Sequence, residues 1–421
     1  VKAHQAFFFL LLALIPTQLG YHFWPAWAHV LGRRVDYLSP TLFFTDLLLL
    51  ATVAAYLWQE RPKVRIKNLA TPLVVVAFVA ANIFFAVSPY VAILKWGKAV
   101  ELALLFWYIV KTAPTFFQVA FPLALGVLYS SLLALGQFAV QRSLGLWILG
   151  ERTFTAATPG IARSAPWGRE ILRPYASFPH PNVLGGFMAV SLPVILAALS
   201  QNMKTIQQTS IQKLHEKKTT IIYLAAFFLG AAALLLTFSR SAIAVGVVAA
   251  ASWYLILKKQ TRWFVAFGVA AVALFIFVFP ISVEEESVVV RGALNSSALA
   301  LFSSSPIVGV GLGNFLVRLP EALPSRQIYF LQPAHNIYLL LLAETGILGV
   351  GLIALALARF AAAKKILLRT PRSPFVISLL VLLLLGLVDH YPTSLQQGQL
   401  LNTLFAALVV TRVLNSSKDE Q

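Results

Sequence analysis

Seven polar residues stand where long apolar runs of this chain begin or end, His180, Asn182, Ser239, Arg240, His335, Asn336 and Asp389, and an eighth, Arg291, lies early in the segment 281–334. His180 and Asn182 close the stretch Tyr175-Ala176-Ser177-Phe178-Pro179-His180-Pro181-Asn182. Ser239 and Arg240 sit in the turn Thr237-Phe238-Ser239-Arg240-Ser241. Three of the four clusters so formed precede a predicted helix, whose free N–H groups and positive dipole end favour an anion. Arg240 adds a forked donor set suited to phosphate. The same arginine is also explained as a snorkelling anchor at a helix end, and Arg291 as a solvated charge. His335, just before a helix, is disfavoured as imidazolium and so suits a general base, though a capping or packing histidine has the same position. Asp389 can orient a histidine or pair with an arginine. Glu344, further down the helix that His335 opens, can serve polar groups inside a bundle.

The elements that hold these residues are apolar and long. The chain has 421 residues, 59% hydrophobic and 11% charged, against about 25% charged in a soluble domain. Runs near 5–24, 41–58, 70–87, 91–110, 116–139, 182–200, 220–238, 241–257, 263–280, 335–358, 374–390 and 398–413 each approach the length that crosses a bilayer. The fold expected is an all-α polytopic membrane protein with about twelve transmembrane helices. Ala26-Trp27-Ala28 resembles a signal cleavage site, but a retained first helix closes the topology. Lysines and arginines recur in alternate loops, at 61–67, 111, 204–218, 258–262, 364–372 and 412–418, which gives N-in, C-in. Segments 25–40, 140–181 and 281–334 then face outside, the last two carrying short helices. Segment 140–181 combines Trp147 and Trp167 with Arg142, Arg152, Arg163, Arg169 and Arg173, as an interfacial segment does. Residues 1–421 read as one integral membrane domain.

Several chemistries are disfavoured. The +18 net charge lies in short loops between spans, so it orients the chain in a membrane and calls for no nucleic acid. There is no cysteine, no Asp-x-Asp pair and no His-Glu-x-x-His, which argues against a metal. No cofactor is expected. Glu284, Glu285 and Glu286 read as a solvated acidic face. The run Gly309-Val310-Gly311-Leu312-Gly313-Asn314 follows no strand–helix unit and reads as a tight turn packed against the membrane face rather than a nucleotide loop.

The order of the clusters resembles the O-antigen ligase and polymerase superfamily of bacterial envelope glycosyltransferases. The matching stretches are Leu236-Thr237-Phe238-Ser239-Arg240-Ser241, Arg291, Ser305 to Phe315, and Ala334-His335-Asn336-Ile337-Tyr338-Leu339 running to Glu344-Thr345-Gly346-Ile347-Leu348-Gly349, with Phe178 to Asn182 upstream. They cover about 175–350, including the segment 281–334. The resemblance implies a donor of glycan on polyprenyl (undecaprenyl) pyrophosphate and an acceptor hydroxyl on lipid A–core or another envelope glycan. It implies metal-independent, inverting transfer at the outer face of the bacterial inner membrane. Arg240 and Arg291 would hold the pyrophosphate and His335 would act as base, with His180, Asn182, Ser239, Asn336 and Asp389 in support. Alternatives are a polymerase of the same superfamily, a lipid-linked glycan flippase, and an envelope scaffold. A flippase would want broken helices in paired halves, which the sequence does not display.

Overall fold

The computed structural model describes residues 2–63, 70–165, 168–208, 213–257, 286–323, 331–364 and 373–416. The expected span 263–280, Glu284, Glu285, Trp167 and much of the basic loops at 61–67, 204–218, 258–262, 364–372 and 412–418 lie outside these residues. What is described is predominantly helical. Helix α1 (Ala3–Ala13) ends well before the expected 24, because Pro16 has no N–H with which to continue the ladder. The chain turns instead into two antiparallel pairs, β1 (Gly20–His22) with the later β4 (Thr41–Phe43), and β2 (His29–Val30) with β3 (Arg33–Arg34). There follow α2 (Phe44–Glu60), α3 (Ala70–Phe84), α4 (Pro89–Thr112) and α5 (Phe116–Val140). Among its described residues, segment 140–181 holds one 3-10 turn (Trp147–Leu149) and the pair β5 (Arg163–Ser164) and β6 (Ile171–Leu172), and no α-helix of the kind expected there.

Helices α6 (Pro181–Gln208), α7 (Lys213–Leu236) and α8 (Arg240–Leu257) come next. The segment 281–334 supplies α9 (Glu286–Ser304), longer than expected, and α10 (Phe315–Ala322). The chain closes with α11 (Ile337–Lys364), α12 (Pro374–Leu385), the single turn α13 (Tyr391–Ser394) and α14 (Gln396–Ser416). Among the described residues, four stretches are long and apolar enough to cross a membrane: Phe116–Val140, Pro181–Met203, Lys217–Leu236 and Ile337–Arg359. Their outward faces, and that of α3, present Phe228, Leu357, Leu73 and Val76, a surface that lipid covers at no cost. The chain is an integral membrane protein.

Two cores result. The larger joins α1, α2, α4 to α8, α12 and α14. The smaller gathers Ala28, Val30, Val35 and Leu38 with α9, α10 and the start of α11, so the segments after α1 and α8 fold onto one end of the bundle. Helix α11 is broken at Gly346, whose φ of 63° favours glycine. The break frees backbone groups, and in an apolar setting these need partners. The glycine run supplies them: Val310 and Gly311 donate to the carbonyls of Ala343 and Glu344 (2.9 and 3.1 Å), while Ile347 and Leu348 donate to Pro306 and Ile307 (2.9 and 3.1 Å). So the run is a tight turn, as expected, but it packs into the helix break. Asn82 ties α3 to both, donating to Val308 (2.7 Å) and Glu344 (3.0 Å) carbonyls, and Glu344 accepts the Phe315 N–H (3.3 Å).

Candidate functional site

Segment 140–181 reaches the bundle through a buried amide. Gln137 of α5 accepts the N–H groups of Tyr175 (2.9 Å) and Ala176 (2.7 Å) and donates to Glu151 (2.8 Å). Glu151 in turn accepts from Leu144 and Leu146. Pinned this way, Arg173 points inward, away from the interfacial position expected for its segment. Its Nε donates to the Thr237 carbonyl (2.6 Å) and its Nη2 to Asn182 Oδ1 (2.7 Å), so one guanidinium joins the turn before α8 to the start of α6. Ser239 is buried in that turn, with its Cβ near Gly185 of α6, and its carbonyl accepts the Ile243 N–H (2.9 Å). Phe238 there has φ 48°, a conformation side chains seldom adopt.

The far wall comes from α11 and α12. The Ile337 N–H donates to the Gly386 carbonyl (2.8 Å) and Tyr338 Oη to that of Leu383 (2.9 Å). A Cβ at Gly386 would strike the Ile337 side chain, so glycine permits the approach. Asn336 caps α11, accepting from Tyr338 (3.0 Å) and Leu339 (3.1 Å). These contacts set the His335 ring 5.0 Å from that of His390. Asn182 Nδ2 donates to Asp389 Oδ2 (3.3 Å), and the His390 N–H donates to Asp389 Oδ1 (2.8 Å). His180 Nδ1 accepts the Asn182 N–H (3.1 Å). His335 Nδ1 is buried and has no hydrogen-bond partner among the described residues.

Electrostatics join the remaining members. Burial, and then the like charges of Arg291 and Arg240, pull Arg173 down to about 10, so three arginines share one field. Burial pushes His335 down to about 4, with His390 and Arg291 adding to it and Asp389 opposing. Burial and Arg173 do the same for His180, also to about 4. Both rings are neutral at pH 7 and free to accept a proton. Burial alone would raise Asp389, but its charge coupling to His390, His335 and Arg291 holds it below the usual carboxylate range. Hydrogen bonds and a ring contact link His180, Asn182, Asp389 and His335, and the charges of Arg240 and Arg291 act on Arg173, while Ser239 and Asn336 are packing and capping residues. Arg173 and His390 join them. Sequence reasoning placed Arg173 among five similar arginines and left His390 out of the site.

Residues 225–354 match the family model of O-antigen ligase. Over this segment, less than half of its length, the chain is similar to the O-antigen ligase family. The matched residues include Arg240, Arg291 and His335, while Arg173, His180 and Asp389 lie outside them. No curated protein matches this chain. Members of the superfamily transfer glycosyl groups. One feature bears on metals: ligand atoms of His335, Asp389 and His390 all lie within 4.8 Å of one another, a set able to hold a divalent ion. The sequence argument against clustered ligands missed this set, because Asp389 and His390 join His335 only through the α11–α12 packing.

Proposed function

We propose that the chain moves a glycan from polyprenyl pyrophosphate to an acceptor hydroxyl, as an O-antigen ligase, at the periplasmic face of the bacterial inner membrane. In this reading residues 1–421 form one membrane domain of about twelve spans, N-in and C-in. The observation that carries it is Arg173 bonded to Asn182, which donates to Asp389, with His335 5.0 Å from His390 and the charges of Arg240 and Arg291 acting on Arg173. A diphosphate leaving group gains charge as its bond to the anomeric carbon breaks, and fixed guanidiniums stabilise that charge.

The step balances without a metal. The acceptor oxygen attacks the anomeric carbon, the carbon–oxygen bond to pyrophosphate breaks, and its electron pair leaves on the pyrophosphate. A neutral His335, with an unpartnered Nδ1, takes the hydroxyl proton. Asp389, fixed by Asn182 and the His390 N–H, stabilises the imidazolium as it forms. His180 and Asn182 hold Arg173 and Asp389 in register. A single displacement inverts the anomeric centre.

Purified protein given a lipid-linked glycan, with and without lipid A–core, in EDTA, tests this reading. Release of polyprenyl pyrophosphate that depends on lipid A–core, with one glycan joined per acceptor, supports the ligase. Release without it, with lengthening glycans, makes the chain a polymerase of the same superfamily. Translocation of donor with no release makes it a flippase, and activity lost to EDTA and restored by a divalent ion makes the His335–Asp389–His390 set a metal centre.

A further inference from the structure

A cavity of about 280 Å³ has residues next to the histidine pair on its wall, though neither histidine lines it. Ser394, on its wall, hydrogen-bonds His390 Nδ1 at 2.6 Å. Tyr37, also on its wall, sets its ring 5.4 Å from that of His390, and Ile337 beside His335 forms another part. None of the three arginines lines it.

The cavity holds two lysines of α4 with different surroundings. Lys98 is answered by Asp46 (2.6 Å) and Glu101 (2.9 Å). Lys95 makes no hydrogen bond or ion pair among the described residues. The carboxylate whose field reaches it, Glu344, already accepts the Phe315 N–H. Room for Lys95 is built in: a Cβ at Gly313 would lie 2.5 Å from Lys95 Cγ. Gln399, Asn402 and Thr403 line the same cavity; the Gln399 and Asn402 amides donate to the Thr393 and Pro392 carbonyls, and their oxygens and the Thr403 hydroxyl can bind hydroxyl groups. A cation without a partner among amides and hydroxyls, in a volume just below the usual range of small-ligand sites, is a recognition site for a polar anion.

We propose that this cavity is the acceptor subsite, and that it takes a sugar bearing an anionic substituent, a phosphate or carboxylate, which Lys95 binds. The assignment rests on the transfer reading above. It gives the two substrates separate compartments, with the donor pyrophosphate among the arginines, the acceptor against Lys95, and His335 between them to take the proton.

Binding of small probes tests this without turnover. The full chain in neutral detergent would be titrated with methyl glucoside 6-phosphate, methyl glucoside, inorganic phosphate and polyprenyl pyrophosphate, as wild type, Lys95→Met and Lys95→Arg. The expected result is at least about 10-fold tighter binding of the phosphorylated sugar than of the plain one, the worth of one charge-assisted hydrogen bond. Lys95→Met should erase that preference and Lys95→Arg keep most of it. Polyprenyl pyrophosphate should bind all three proteins alike, which also shows that Lys95→Met folds. Three results overturn the proposal: no preference in the wild type, a preference that survives Lys95→Met, or an equal loss of polyprenyl pyrophosphate binding in that variant. Inorganic phosphate binding as tightly as the sugar phosphate would make the cavity a phosphate site and overturn the acceptor assignment. Failure of the transfer reading appears separately, as no release of polyprenyl pyrophosphate from donor and acceptor.

Discussion

Two polar clusters lie in this apolar chain, and their charges are balanced differently. Around Lys98 the groups answer one another: Asp46 and Glu101 hold the ammonium, and Asp46 also accepts from the Phe43 N–H and from Gln396. Around Arg173 the like charges of Arg240 and Arg291 press on one another, the histidines are held neutral, and one histidine nitrogen has no partner. The first arrangement fastens α2, α4 and α14 together. The second sets like charges beside a neutral histidine, an arrangement suited to an anionic substrate with a proton to give. Burial of charge alone does not mark a site; incomplete compensation does.

That contrast can be broken by substitution. Replacing Arg240 and Arg291 together by Ala should lower donor turnover by at least about 10³, with donor KM rising, since each such group is worth about 10²–10³; near-normal release of polyprenyl pyrophosphate would reduce the pair to anchors. Arg173→Ala should cost about 10² and Arg173→Lys nearly as much, because only the fork reaches both Thr237 and Asn182. A tenfold smaller loss would leave Arg173 a brace for the loop. Asp46→Asn should leave turnover within about twofold while lowering stability by about 1–3 kcal/mol; a large loss of turnover would erase the distinction between the clusters. The smallest effect is in pH. A base must be unprotonated, so the rate falls as pH drops through its pKa. With His335 held at about 4, transfer should stay flat from pH 8 to about pH 5, and Arg291→Ala, removing a like charge, should move the acid limb upward. A wild-type limb near 6.5 would point to an ordinary exposed histidine.

Much of the site was legible because its chemistry stands out against apolar spans. Arg240 and His335 are polar residues at the ends of hydrophobic runs, Arg291 lies in the segment between two of them, and the motifs around them follow the superfamily order. Arg173 was not legible, since four similar arginines precede it in sequence and only tertiary bonds, among them those from the Tyr175 and Ala176 N–H groups to Gln137, hold its segment against the bundle. A signal existed in Gln137 itself, an amide on an apolar helix that must find partners. Asp389 was named from the end of its apolar run, but its union with His390 and His335 comes through packing of α11 on α12, which no local pattern encodes. Helix boundaries followed punctuation: α5 starts at its Thr115–Gln118 capping box, and the miss at α1 came from weighting hydrophobicity over Pro16.

The most direct test of the account is one comparison made on purified His335→Ala and wild type, measuring polyprenyl pyrophosphate affinity and acceptor-dependent release together. The account predicts unchanged affinity, because the arginines remain, and release slowed by at least about 10². Release at the wild-type rate, with the glycan still joined to the acceptor, would contradict it.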